Sequence, residues 1–120
     1  MGADLYRQFN NGKEVPILGF ERSKRAIDSG YFRDAYNSGS ILNKYGLSWW
    51  VDISKLQDKE GIIKTAKVKK FRTMLDDEIL ETNIASENTE GKEYFRESAK
   101  LLKDYLDAVI RDKDSINASL

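Results

Sequence analysis

The chain has 120 residues, 20 basic and 20 acidic side chains, 40% hydrophobic residues, no cysteine and no histidine. That length supports one hydrophobic core, and the composition is that of a folded chain. Without cysteine there is no disulfide scaffold, thiolate nucleophile or sulfur-ligated zinc, and without histidine the commonest general base and nitrogen ligand are missing.

Only carboxylate, lysine, tyrosine or hydroxyl chemistry remains, so no cofactor or metal is expected. No apolar run approaches the length of about 18 residues that reads as a membrane span, and no basic leader with an apolar stretch opens the chain. A cytoplasmic protein without membrane contact is therefore expected. After Met1-Gly2, position 6 is Tyr6, where myristoylation wants Ser or Thr. Asn117-Ala118-Ser119 fits the glycosylation triplet, but no secretory signal accompanies it.

In chain order, residues 3–9 carry Leu5, Tyr6 and Phe9 at helical spacing, which predicts a short helix stopped by Asn10-Asn11-Gly12. Residues 13–20 hold the only proline, Pro16, and read as a connector. Residues 21–29 read as a second short helix, with Gly30 in a left-handed position after it. Residues 31–45 are a third helical segment ending at Gly46, weak at Asn37-Ser38-Gly39-Ser40.

Residues 47–53, LSWWVDI, alternate and are the best strand candidate, with a partner in residues 15–18 or in Ile62-Ile63. Ser54 and Gln57 have the spacing of a capping box, with Gly61 closing the short helix they start. Residues 65–81 predict one long helix on the stripe Val68, Phe71, Leu75 and Ile79. Its charge order, lysines first and Asp76, Asp77, Glu78 and Glu81 last, opposes the helix dipole. Residues 89–113 give the longest helix, whose broad apolar face includes Leu102, Tyr105, Leu106 and Val109.

The expected fold is mainly α. It is a compact helical domain over residues 1–120, with a frayed tail from about residue 113; the minority alternative is an α+β arrangement with one small two-stranded β ribbon.

Charge is segregated. Residues 51–75 hold 7 bases and 3 acids, whereas residues 76–120 hold 6 bases and 12 acids. The basic segment supplies the nucleic-acid candidates Lys64, Lys67, Lys69, Lys70 and Arg72, although on a helix they surround the axis instead of forming one blade. Asp77 and Glu81 could share a face, but two carboxylates are too few for a hard cation. Lys103 and Asp107 have the spacing of an exposed helical pair.

Adjacent Trp49 and Trp50 would point to opposite faces of a strand, freeing one for a partner. With Tyr94 and Tyr105 they are the protein-interaction candidates, and with Tyr31, Phe32, Tyr36 and Tyr45 they could line a small-ligand pocket. The functional expectation is a small accessory or protein-binding module, self-association included, that is not an enzyme. A nucleic-acid-binding protein using residues 64–72 and a small-ligand-binding protein are the alternatives.

Overall fold

The computed structural model describes residues 2–10 and 28–120. In chain order these form strand β1 (Gly2–Gln8), strand β2 (Tyr31–Ala35), helix α1 (Ile41–Lys44), a π-helical turn (Trp49–Ile53) running into a 3-10 turn (Ser54–Leu56), strand β3 (Ile62–Ile63), helices α2 (Thr65–Thr73), α3 (Asp77–Ile84) and α4 (Thr89–Arg111), and strand β4 (Ser115–Ser119). The domain is mainly helical, 52% among the described residues, and its small antiparallel sheet is not closed into a barrel. Strand order is β2-β1-β4-β3. The readings of residues 13–20 and 21–27 lie outside the described residues.

Among the described residues the sheet has four strands where a two-stranded ribbon was the option, and two of them come from segments read as helix. In β1 burial alternates, with Ala3 and Leu5 inward and Asp4 and Tyr6 outward, the period of a strand. Leu5 pairs with Phe32 on one side and Ala118 on the other. Residues 31–35 are likewise a strand, with Phe32 and Asp34 inward. The buried Asp34 carboxylate accepts hydrogen bonds from the Ser40 hydroxyl and from the Ile41 and Leu42 backbone N–H groups. These capping bonds define where α1 starts. Gly30 precedes β2 at φ 89°, where a Cβ would come within 2.9 Å of Arg7 Cβ, so its conformation and its space both require glycine.

The strand expected at residues 47–53 is a helical turn. Ser48 Oγ accepts from Val51 N while Asp52 accepts from Ser48 N, a reciprocal cap that satisfies donors an isolated strand would leave open. Ser54 does not form a box with Gln57. Its hydroxyl donates to Trp50 O, and Gln57 reaches the Gly61 and Ala118 carbonyls. Ile62-Ile63 does pair, but with β4.

The long helix expected over residues 65–81 is two helices, which eases the dipole conflict. Helix α2 ends with Lys70 and Arg72 in its last turn, and α3 opens with Asp77 and Glu78 behind an Asp76 cap. At the break each half therefore carries favourable charges, although Lys64 and Lys67 at the start of α2 and Glu81 near the end of α3 still oppose the dipole.

Helix α4 matches its expected start, and Phe95, Ala99, Leu102, Tyr105, Leu106 and Val109 are buried along one face. Each fully buried aliphatic or aromatic side chain contributes about 1.5–3 kcal/mol. The tail expected to fray after it is instead β4, placed between β1 and β3 with Ile116 and Ala118 in the core. Arg7 fastens this end of the sheet. It pairs with Asp114 at 2.7 Å and Asp112 at 2.5 Å, lies 4.5 Å from the Phe9 ring centroid, and Asp114 also accepts from Asn10 N.

Candidate interaction surfaces

The two tryptophans part company on the π-helical turn. Trp49 is 1% exposed and meets the Phe71 ring edge-on at 6.2 Å, while its indole N–H finds no acceptor among the described residues. Trp50 is 59% exposed and Val51 55%. Trp50 and Val51 thus reach solvent from a turn whose other side is anchored in the core, and the Trp50 ring lies 4.5 Å from that of half-buried Tyr36, just past β2.

Tyr94 is half exposed and touches the Phe95 ring. Tyr105 is not a surface residue. It is 1% exposed and donates to Gly30 O at 3.1 Å, and burial pushes its phenol well above the ordinary range. Trp49 and Tyr105 thus belong to the core, leaving Trp50 and Tyr94 as the accessible members of the aromatic set.

The aromatic set does not converge on one cavity. Tyr31 stacks on Tyr6 and donates to Asp4 at 2.5 Å, its hydroxyl pushed up to about 12 by burial and then by that carboxylate. Phe32 lies against Tyr105, and Tyr45 donates to Asp77. A cavity of about 320 Å³ is lined by Arg7, Phe9, Asn10, Asp112 and Asp114, whose charges are already closed on one another. A shallow groove of about 280 Å³ lies along Asp76, Glu78, Ile79, Thr82 and Asn83.

Of the nucleic-acid candidates, Lys64, Lys67, Lys69 and Lys70 are exposed. Arg72 is withdrawn from them by an ion pair to Asp107 at 2.9 Å. The inward residues Val68 and Phe71 fix the roll of α2, so its outer face is Ala66, Lys67, Lys69, Lys70 and Thr73.

The acidic candidates are spread across a helix–helix contact. Asp77 pairs with Lys103 at 2.5 Å and Glu81 with Arg96 at 2.8 Å. The Lys103 hydrogen bond first, and Tyr45 after it, holds the Asp77 carboxyl below the usual range, and Arg96 does the same for Glu81. Lys103 therefore bridges to α3 and does not pair with Asp107 along its own helix. Among the described residues no cluster of three or more metal-ligating side chains is present, and no helix is long and apolar enough to cross a membrane. No family model, curated protein or solved structure matches the chain.

Proposed function

We propose that this chain is a protein-contact module whose binding surface centres on Trp50, with Val51 and Tyr36 beside it, and that self-association is one form the contact takes. The observation that carries the reading is the exposure of Trp50 and Val51 on a turn held by its own hydrogen bonds. Folding gains little from leaving an indole and an isopropyl group in water, whereas burying them against a partner uses the large area and small entropy loss that make tryptophan an interface anchor.

The paired surface carboxylates are unsuited to one catalytic role, that of a general acid. Asp77 and Glu81 each sit at the surface with their proton affinity lowered by a cation, the opposite of what a general acid at neutral pH needs.

The test places a photo-activated cross-linker at Val51 and, as a control, at exposed Lys113, together with sedimentation over a concentration series. A discrete adduct from position 51 alone, lost in Trp50→Ala, is the expected result. Equal or absent adducts at both positions, with a single mass at every concentration, overturn it.

A further inference from the structure

Ion pairing divides the molecule unevenly. Arg7, Arg33, Lys44, Arg96, Lys103 and Arg111 each face a carboxylate. By contrast Lys55, Lys59, Lys64, Lys67, Lys69 and Lys70, consecutive among the cations of the sequence, form no ion pair among the described residues; outside this run the same is true only of Lys92 and Lys113. Nearby acids do not bridge to them. Asp52 caps Ser48 N, and Asp58 accepts from Glu60 N and Ile62 N, with Lys64 and Lys59 acting on it only through space.

We propose that the outer face of α2, with Lys64 ahead of it, binds the phosphate backbone of nucleic acid. This surface is separate from the Trp50 projection and does not depend on that reading. Lys64 to Lys70 spans roughly 9 Å of helix at about 1.5 Å per residue, and duplex DNA carries one charge per about 1.7 Å of axis, so several phosphates lie opposite these ammonium groups at once.

An acidic protein is the poorer fit. Protein interfaces take their affinity from a desolvated apolar centre, and the outer face of α2 offers only Ala66 and a threonine methyl between its lysines. A ligand whose charges are regular and whose backbone needs no apolar anchor suits such a face. Because lysines lie on both flanks of the exposed arc, they would follow the backbone without reading base edges, so binding is independent of sequence.

Fluorescence anisotropy with short labelled DNA, duplex and single-stranded, tests this on the whole chain. With four lysines neutralising phosphates, log affinity should fall against log salt with a slope of about −3 to −4 for duplex, close to a hundredfold loss between about 50 and about 200 mM salt. The triple variant Lys67→Ala, Lys69→Ala, Lys70→Ala should abolish most binding and flatten the slope by two to three units. Its fold is secure, because alanine at exposed helical positions raises helix propensity. Lys92→Ala with Lys113→Ala lowers the net charge elsewhere and should leave binding as it was. No anisotropy change at low salt, equal loss in both variants, or displacement of DNA by poly-glutamate as readily as by unlabelled DNA would each overturn the assignment, the last by giving this face to acidic proteins.

Discussion

Around α4 and β4 the polar groups close on internal partners: Arg7 on Asp112 and Asp114, Lys103 on Asp77, and the Tyr105 hydroxyl on Gly30. From residue 49 to residue 73 the same chain turns only alternate groups inward. Trp49, Ile53, Leu56, Ile63, Val68 and Phe71 are core, whereas Trp50, Val51 and the lysines between them face water. Stability alone accounts for the closed polar groups of the first region. The second carries groups that folding leaves without a role, which is why both proposed contacts fall there.

The sharpest way to break this contrast is to truncate one residue from each category. Trp49→Ala should cost about 3–5 kcal/mol and Leu102→Ala about 2–5 kcal/mol through lost burial and cavity formation, measured by urea unfolding. Trp49→Phe should be much milder, since it removes a donor that has no acceptor among the described residues. Trp50→Ala should stay within about 0.5 kcal/mol of the parent; a loss as large as that of Trp49 would make Trp50 a core residue and remove the contrast.

Next in size is the polar fastening of the sheet. Asp114 is 4% exposed at its side chain and Arg7 8%, so Asp114→Asn leaves a buried guanidinium short of its counter-charge, an effect of about 3 kcal/mol when one partner of a buried pair is removed. Matching stability in parent and variant would mean that Asp112 alone suffices.

Acid should weaken the same region. Arg111 and then Arg7 hold Asp112 at about 2, and Asp77 and Glu81 also lie below their ordinary values. Each binds its proton less readily folded than unfolded. Their contribution to stability is therefore complete above the ordinary carboxylate pKa of about 4 and is lost as pH falls through it toward about 2. Thermal midpoints should be level near neutrality and drop across that window, and less steeply in Asp112→Asn. A midpoint indifferent to pH from about 6 to about 2 would contradict these pairings.

The smallest effect expected is Lys103→Ala. Its pair with Asp77 ties α4 to α3, but the carboxylate is 60% exposed at its side chain, so about 0.5–1 kcal/mol is at stake. A double-mutant cycle with Asp77→Ala should show coupling, and one with Asp107→Ala should show none.

How much of this was legible depended on whether the inward face was apolar. Helix α4 was, because its buried residues repeat at helical spacing over many turns. Strand β1 was hidden because its inward positions are Ala3, Leu5 and Arg7, a small residue, one aliphatic and a charge, so no alternation of hydrophobicity appears. Strand β2 turns Asp34 inward, and β4 has only Ile116 and Ala118 to declare itself. In LSWWVDI the apolar alternation was real but the polar residues decided: Ser48 and Asp52, four apart, are the cap that winds the turn, and that spacing was readable. The break between α2 and α3 was readable too, since charges that oppose the dipole of one helix favour two. The exposure of Trp50 could not be read, because it depends on which neighbour reaches Phe71 first.

Strand β4 sits in the interior of the sheet and joins two strands that do not touch each other. Without it, β1 can pair with β2, but β3 has no strand neighbour among the described residues. Closing Gln8 onto Ser115 spans nearly the whole chain, and although that entropy grows only as the logarithm of loop length, it is incurred before any pairing repays it. A chain with β4 undocked would display the bare edge of β1 beside an unpaired β3, the kind of open template that recruits strands from other molecules. Five residues, Ser115–Ser119, turn two exposed edges into a single sheet.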